Sequence, residues 1–455
     1  MIEFHKAGET ERSHSAESLL VMGFLAIILV GTVLLALPVA ARNGQSIGLF
    51  NSLFTATSAV CVTGLVAVDT GSTFSLFGQV VLIILIQVGG LGFMVFATMI
   101  MAMLGRRISL KGRMLIRESM NRTSLSDLSG LTRLYLLLAL GIESLGTGLL
   151  SIRFIPMYGP KRGLWMALFH SISAFCNAGF DLFGGYSSLT SYACDPLVLL
   201  TVATLIITGG LGFSVILEAL RNRQGFRGLT LHARIVLILT PALLLAGTFF
   251  YVLVEWGNEG TIKGLGTGEK LLNAFFQSVT MRTAGFNSID LSKMKDGSKL
   301  FSGLLMMVGA SPASTGGGMK TTTVALFVLL MLSVVKGESE VNVARRRLSV
   351  DNARRALAIV ALFLLTLILG TLALSLIEDG RFALSDVFFE AASAMGTVGV
   401  SSIGTPNLRP ASRIILLPMM FLGRIGPLTL AIAVSRKQGM TRKLSKYPEE
   451  KVMIG

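Results

Sequence analysis

Eight long apolar stretches constrain this chain more than any other feature of its sequence. Each reaches the length of about 20 residues that an α-helix needs to cross a bilayer. Of the 455 residues 52% are hydrophobic and only 14% are charged, so most of this apolar surface has to face lipid. A cytosolic enzyme and a disordered chain are therefore excluded. The predicted spans are residues 18–38, 76–104, 131–154, 196–219, 232–255, 298–333, 354–377 and 411–434.

Four shorter segments lie between the members of successive pairs of spans. With about a dozen residues each they are too short to cross a bilayer, and their Ser and Thr residues disfavour contact with lipid. We therefore predict re-entrant helices that are buried in protein and followed by irregular chain. The segments are residues 49–60, 164–175, 269–281 and 385–396.

The positions of the positive charges predict the orientation in the membrane. Of the 40 Lys and Arg residues, 25 lie in the N-terminus, the tail and alternate connections, and such residues collect on the cytoplasmic side. Both termini are therefore predicted to be cytoplasmic, with the short segments entering from outside. The net charge of +15 reflects this topology and not nucleic-acid binding. These 25 cations lie in residues 1–17, 105–133, 220–234, 336–355 and 436–455.

The four short segments are copies of one motif. Each runs from a phenylalanine to a glycine ten residues later: FTATSAVCVTG, FHSISAFCNAG, FFQSVTMRTAG and FEAASAMGTVG. The repeated unit of span, short helix, glycine turn and span predicts an all-α integral membrane protein with pseudo-fourfold symmetry around a central pore. The repeats cover residues 18–104, 131–220, 232–335 and 353–435, between a cytoplasmic N-terminus (1–17) and tail (436–455).

The glycines of the motif indicate a selectivity filter for a dehydrated cation. Backbone carbonyls can replace the water around an ion, and glycine adopts the backbone angles that turn carbonyls inward. The short helices would direct the negative ends of their dipoles at the same point. Close helix packing at small residues is the alternative, but it does not explain four glycines at a fixed offset. The predicted filter residues are Val62, Thr63, Gly64, Asn177, Ala178, Gly179, Thr283, Ala284, Gly285, Thr397, Val398 and Gly399.

Several stretches resemble the membrane subunit of the Ktr potassium uptake system, in the Trk/Ktr/HKT superfamily. They are CVTGLVAVDTG, FHSISAFCNAGF, TMRTAGFNS, GTVGV, GASPASTGGGMK and GRIGPLT, in family order along nearly the whole chain. The resemblance implies potassium uptake across a bacterial cytoplasmic membrane by a homodimer with a cytosolic ring of nucleotide-binding regulatory subunits. It also implies that the C-terminus, ending in Gly455, lies at the dimer interface. Cys176, where Asn is common, and Pro312, in a loop of mostly small residues, depart from the family pattern.

The sixth span is interrupted near its middle by a proline and by three consecutive glycines. A helix interior breaks at such residues, since each costs about 1–3 kcal/mol there. Irregular chain at membrane depth has to be buried in protein or line a cavity. We therefore predict a gate below the filter, with a plain kink as the alternative. The predicted gate residues are Gly309, Ala310, Ser311, Pro312, Ala313, Ser314, Thr315, Gly316, Gly317 and Gly318.

Two cations, Lys320 after this loop and Arg424 in the last span, lie at membrane depth in the predicted topology. Such charges are costly there and seldom face lipid. We predict that Arg424 projects into the pathway and limits the flux of cations electrostatically. A structural ion pair with Glu143 or Glu218 is the alternative.

Functions other than cation transport find little support in the sequence. No HExxH motif and no paired intramembrane aspartates occur, and the three cysteines and four histidines lack the spacing of a metal site. We therefore expect no enzyme activity and no bound cofactor, with potassium as the transported ion and nucleotide on the partner. His170 is interpreted as a packing residue. A weakly selective or sodium-permeable transporter is the main alternative, and sodium coupling is left open.

Overall fold

The computed structural model describes residues 16–92, 128–337, 342–343, 346–347 and 349–435. Within these residues the chain is helical apart from one hairpin of two-residue strands. The N-terminal segment, most of the connection 105–133 and the tail that ends in Gly455 lie outside the described residues.

Each of the four repeats contributes a first helix, a short helix and a last helix. The first helices are α1 (Ala16–Ala36), α5 (Leu128–Tyr158), α9 (Leu231–Glu255) and α13 (Val350–Glu378). The short helices are α2 (Leu49–Val60), α6 (Pro160–Phe175), α10 (Thr267–Thr280) and α14 (Leu384–Gly396). The last helices are α4 (Leu76–Leu91), α7 with α8 (Pro196–Leu211, Phe213–Arg221), α11 with α12 (Asp296–Met307, Thr321–Val335) and α15 with α16 (Pro410–Ile425, Pro427–Ser435).

The remaining elements lie in the connections between these helices. They are α3 (Thr70–Thr73), the antiparallel strands β1 (Asn342–Val343) and β2 (Arg346–Arg347), and five 3-10 turns, at Pro38–Ala40, Thr190–Tyr192, Gly225–Gly228, Leu291–Lys293 and Thr405–Asn407.

The first helices provide the outer surface of the protein. Among the described helices these four are long and apolar enough to cross a membrane, and the bent pair α7 and α8 passes the same test when taken together. Large apolar side chains on them are exposed, including Leu29, Leu245 and Leu376. This surface suits contact with lipid.

Two of the last helices are not the continuous spans that the sequence predicted. The span 196–219 bends by 93° between α7 and α8, and the span 411–434 breaks between α15 and α16. The break falls at Gly212 and Gly426, each with φ +92° and ψ +133°, angles that suit glycine and strain other residues. Gly92, after α4, has nearly the same angles, and the rest of the predicted span 76–104 lies outside the described residues.

The short helices form the buried centre of the molecule, as predicted. The phenylalanine that opens the motif is fully buried in three repeats, and in the third repeat its neighbour Phe276 is buried instead. Each last helix packs against the short helix of the next repeat, and α15 of the fourth repeat packs against α2 of the first. The repeats therefore close into a ring of pseudo-fourfold symmetry around one axis.

Candidate ion pathway

The four motif glycines meet at the axis of this ring. A Cβ atom added to Gly64 would lie 2.5 Å from the carbonyl oxygen of Ala178, and one on Gly179 would lie 2.7 Å from the Cα of Gly285. A Cβ on Gly285 would lie 2.5 Å from the carbonyl oxygen of Val398, and one on Gly399 would overlap the first strand. The structure therefore brings the four predicted strands together, and their contact leaves no room for side chains at these positions.

Each strand carries the same pair of unusual backbone angles. The motif glycine and the residue two places before it both have positive φ, whereas an extended strand would point successive carbonyls to opposite sides. Such an alternation can turn successive carbonyls toward one side of a strand. The eight φ values are 54° and 91° (Val62, Gly64), 57° and 69° (Asn177, Gly179), 68° and 86° (Thr283, Gly285), and 52° and 95° (Thr397, Gly399).

Hydroxyl groups of the short helices hold the strands in place. The Oγ atoms of Ser58 and Ser393 accept hydrogen bonds from the backbone N–H of Gly64 and Gly399, each at 3.0 Å. Ser173 instead donates to the carbonyl oxygen of Phe180 at 2.7 Å. In the third repeat Thr280 donates to the carbonyl oxygen of Phe286. Our sequence interpretation missed this role, although a serine at the same place in three of the four motifs was its signal.

An open cavity of about 360 Å³ lies on one side of the glycine ring. Three carboxylates line it, from Asp69, Asp181 and Asp290. Burial raises the pKa of Asp181 to about 7; a hydrogen bond from the Phe183 N–H opposes this shift and the charge of Asp69 adds to it. These acids lie on three separate connections, so no local motif in the sequence marks them as one group.

The loop of small residues lies against the opposite side of the ring. Gly316 and Gly317 face the hydroxyl groups of Thr283 and Thr397, so closely that a Cβ on either glycine would overlap them. The Oγ1 atom of Thr315 donates to the carbonyl oxygen of Phe175 at 2.9 Å. The loop therefore lies against the ends of the strands on the side away from the acidic cavity.

Backbone hydrogen bonds attach this loop to two neighbouring last helices. The N–H groups of Ser311 and Thr315 donate to the carbonyls of Gly210 and Gly209 on α7, at 2.9 and 3.2 Å. The N–H of Gly318 donates to the carbonyl of Gly423 on α15 at 3.1 Å. The carbonyl oxygen of Pro312 lies against the bend at Gly212. Because proline has no backbone N–H, this position of the loop needs no hydrogen-bond acceptor.

Arg424 and Lys320 both bind carbonyl oxygens of the loop. The guanidinium of Arg424 donates to the carbonyls of Thr315 and Gly89, and to that of Gly90 at 3.1 Å. Lys320 Nζ donates to the carbonyl of Gly316 at 2.7 Å. Arg424 therefore links the loop to the end of α4.

The ion pair considered as an alternative for Arg424 is not formed by the two acids that the sequence suggested. Glu143 accepts a hydrogen bond from Gln87 Nε2 at 2.9 Å, and Glu218 accepts one from Thr230 Oγ1 at 2.9 Å. The guanidinium instead uses backbone carbonyls, including those at the negative end of α4.

Comparisons with known proteins agree with this arrangement. The TrkH family model, described as a cation transport protein, matches residues 1–444. The chain is 40% identical over 436 residues to Ktr system potassium uptake protein B of Bacillus subtilis (strain 168), with 96% of each chain covered. It is 40% identical over 464 residues to the protein of the same name from Vibrio alginolyticus, with 100% of each covered.

Two further proteins extend the comparison. The chain is 35% identical over 443 residues to potassium/sodium uptake protein NtpJ of Enterococcus hirae, with 97% of each chain covered. The crystal structure of the potassium transporter TrkH from Vibrio parahaemolyticus matches with a TM-score of 0.68 at 17% identity, covering 94% of this chain and 86% of that one. This structural likeness shows that the fold is shared.

Proposed function

The chain belongs to the TrkH family of cation transport proteins, and from this premise we propose that it takes up potassium through a filter of backbone carbonyls. The observation that carries the proposal is the ring of four strands, each with positive φ at the motif glycine and two residues before it. Carbonyl oxygens on that axis replace the water that a potassium ion loses. The Ktr relatives, which are named for potassium uptake, support the choice of ion.

The short helices and the acidic cavity favour a cation on this path. Each short helix ends immediately before its strand, at Val60, Phe175, Thr280 and Gly396, so four negative dipole ends converge on the ring. The carboxylates of the cavity raise the local concentration of cations before they enter the filter. No side-chain carboxylate is then needed at the filter itself.

We propose the loop 309–318 as the gate of this pathway. It lies across the end of the filter, and its contacts are hydrogen bonds that can be exchanged without unfolding a helix. The helix α12 begins directly after Lys320, so a tilt of α12 would displace the loop. A cytosolic nucleotide-binding regulatory subunit acting on the connection after α12 is the proposed source of that tilt.

The assembly and location are proposed on the same basis. Several relatives are named as parts of a Ktr system, which supports a partner subunit for this chain. We propose a homodimer in the bacterial cytoplasmic membrane, with both termini and the gate on the cytoplasmic side and the acidic cavity outside. The proposed dimer contact at Gly455 lies outside the described residues.

Substitution of each motif glycine tests the filter. Gly64→Ser, Gly179→Ser, Gly285→Ser and Gly399→Ser each add a side chain where a neighbouring strand already lies, so each should lower potassium affinity or admit sodium, by about tenfold in the ratio of the two fluxes. Potassium, sodium and rubidium uptake would be measured in a host that lacks its own potassium transport. Gly148→Ser on α5 is the control, because nothing lies within 4 Å of its added Cβ. Unchanged selectivity in all four variants would show that this ring is not the filter.

A transporter that also admits sodium is the second candidate. The Enterococcus hirae relative is named for both ions, and it is 35% identical to this chain. The presence of glycine at all four motif positions favours potassium. The wild-type flux ratio from the same measurement decides between the two candidates.

A further inference from the structure

A carboxylate lies directly behind the fourth strand of the ring. Glu390 projects from α14, and its side chain is completely buried. Its Oε2 atom accepts a hydrogen bond from Ser401 Oγ at 2.6 Å, and its Oε1 atom accepts one from Thr405 Oγ1 at 2.7 Å. Ser401 follows Gly399 by two residues, so this carboxylate holds the chain where it leaves the filter.

The Glu390 carboxylate accepts its hydrogen bonds from the hydroxyl groups of Ser401 and Thr405. Asp386, one helical turn earlier, receives the amine of Lys299 at 2.7 Å and the hydroxyl of Ser402 at 2.6 Å. Glu390 takes part in none of the ion pairs found among the described residues. Burial of a carboxylate without a cation is costly, so an apolar residue at this position would suit packing better. The hydrogen bonds to Ser401 and Thr405 therefore explain why a carboxylate occupies this position.

The residues at the equivalent position of the other repeats alternate around the ring between one that is hydrogen-bonded to the chain after the filter and one that is not. The buried phenylalanines of the four short helices are Phe54, Phe169, Phe276 and Phe389. The residues that follow them are Thr55, His170, Gln277 and Glu390 in turn. His170 Nε2 accepts a hydrogen bond from the N–H of Leu182 at 3.3 Å, three residues beyond Gly179, and its Nδ1 lies 2.7 Å from the carbonyl of Met166.

The first and third repeats lack such a connection. Thr55 Oγ1 and both polar atoms of the buried Gln277 amide have no hydrogen-bond partner among the described residues. The second and fourth strands, which oppose each other across the axis, are thus the two held from this position.

We propose that Glu390 is a positioning residue that determines selectivity, by fixing the outer end of the fourth strand. Ser401 Oγ also accepts the N–H of Gly404 at 2.8 Å, so the hydroxyl joins the carboxylate to the turn that follows the strand. Loss of the carboxylate frees this turn, and the carbonyls beside Gly399 then adapt to an ion of another size. The inference rests on the proposed filter.

Another buried carboxylate, Glu378, has a purely structural role and serves as a comparison. Glu378, at the end of α13, accepts hydrogen bonds from the N–H of Arg409 and from Ser412 Oγ, at 2.8 and 2.5 Å, and pairs with Arg381. It holds the start of α15, and these three partners lie outside the filter strands. Glu390 differs because its partner Ser401 lies two residues beyond Gly399, and its partner Thr405 lies in the turn that follows.

The test compares two variants that break the hydrogen bond between Glu390 and Ser401 with one variant that breaks the neighbouring hydrogen bond between Asp386 and Ser402. Glu390→Gln replaces one acceptor oxygen with an NH₂ donor, and Ser401→Ala removes a donor while leaving the carboxylate. Ser402→Ala is the matched control, since Ser402 binds Asp386 and not Glu390. We expect the ratio of potassium to sodium uptake to fall about fivefold in the first two variants and to remain at the wild-type value in the control.

The outcomes separate this inference from the proposed function. If Gly399→Ser changes the ratio while Ser401→Ala and a correctly assembled Glu390→Gln do not, the filter stands and Glu390 has no part in selectivity. If Gly399→Ser also leaves the ratio unchanged, the filter assignment fails and this inference fails with it. Should Glu390→Gln not reach the membrane, Ser401→Ala decides, because it leaves the buried carboxylate in place.

Discussion

The residues two places before the filter glycines hold a backbone conformation that their side chains disfavour. Val62, Thr283 and Thr397 are β-branched, and a left-handed backbone costs such a residue about 1–3 kcal/mol. Surrounding contacts have to hold them there, such as the 3.2 Å hydrogen bond between the amide of Asn177 and Thr283 Oγ1. In the proposed filter the ion site is therefore defined by backbone shape, and conservative changes at these positions should affect it mainly through that shape.

Asp181 gives the acidic cavity, which we propose to face outside, a charge that depends on pH. Its pKa of about 7 makes it neutral in more acidic medium and negative in more alkaline medium, so the attraction for cations grows as the pH rises. Potassium uptake at limiting concentration should increase about two- to threefold between pH 6 and pH 8. Asp181→Asn should flatten that profile in a rubidium uptake assay.

Asp290→Asn serves as the comparison for this prediction. Burial acts to raise the pKa of Asp290, but hydrogen bonds from Ser292 and Lys293 and the charge of Lys293 lower it overall, so this acid stays charged from pH 6 to 8. Its loss should reduce uptake at every pH and preserve the slope. A variant without Asp181 that keeps the wild-type slope would assign the titration to another group.

At the scale of elements, Arg424 connects the proposed gate to a helix of another repeat. Its guanidinium reaches carbonyls of Thr315 in the loop and of Gly89 and Gly90 at the end of α4 at the same time, which the single amine of a lysine cannot do. We expect Arg424→Gln and Arg424→Lys both to raise maximal potassium flux by about three- to tenfold, since each hydrogen bond from a charged group contributes about 1.5–3 kcal/mol. The preference for potassium over sodium should not change.

The lysine variant distinguishes this link from the electrostatic brake that the sequence suggested. If Arg424→Gln raises the flux and Arg424→Lys does not, the charge itself limits conduction. If neither variant changes the flux of a correctly assembled protein, Arg424 does not hold the gate. Arg153→Gln, at an exposed ion pair with Asp195, is the control for a general effect of removing a cation.

At the scale of the whole molecule, the ring of repeats places the whole of the proposed pathway within one chain. Assembly of two chains is a separate question, and the resemblance to the Ktr family implies that the C-terminal segment takes part in it. Removal of residues 446–455 takes away interface area, so it should weaken the dimer. We expect the truncated protein to dissociate into monomers at a protein concentration about tenfold higher than the concentration at which wild type dissociates. Mass photometry over a dilution series measures this shift.

Removal of residues 1–10 is the matched control for the truncation. Both segments lie outside the described residues and both are predicted to be cytoplasmic, but the resemblance assigns a dimer contact to the C-terminus alone. A protein without residues 446–455 that dissociates over the same range as wild type would contradict this assignment.

The sequence by itself determined the class of fold, the repeat and the position of the strands. Apolar stretches of bilayer length and polar segments too short to cross are local properties, and the ten-residue offset from Phe54 to Gly64 recurs in every copy. The same reasoning located the loop, since Pro312 and the three glycines after it break a helix wherever it lies.

Only the tertiary structure decided which groups meet. The break at Gly212 was not predicted, because apolar residues continue on both sides and the bend lies against Pro312 and Ala313 of the loop in the third repeat. The break at Gly426 was also not predicted, although the proline that follows it, Pro427, was its signal. The carbonyl partners of Arg424 and the hydroxyl partners of Glu390 also come from chain folding, and backbone carbonyls leave no mark in a sequence. Periodicity and composition are local properties and can be read from the sequence. The site is made of contacts between four repeats, and only closure of the ring brings these together.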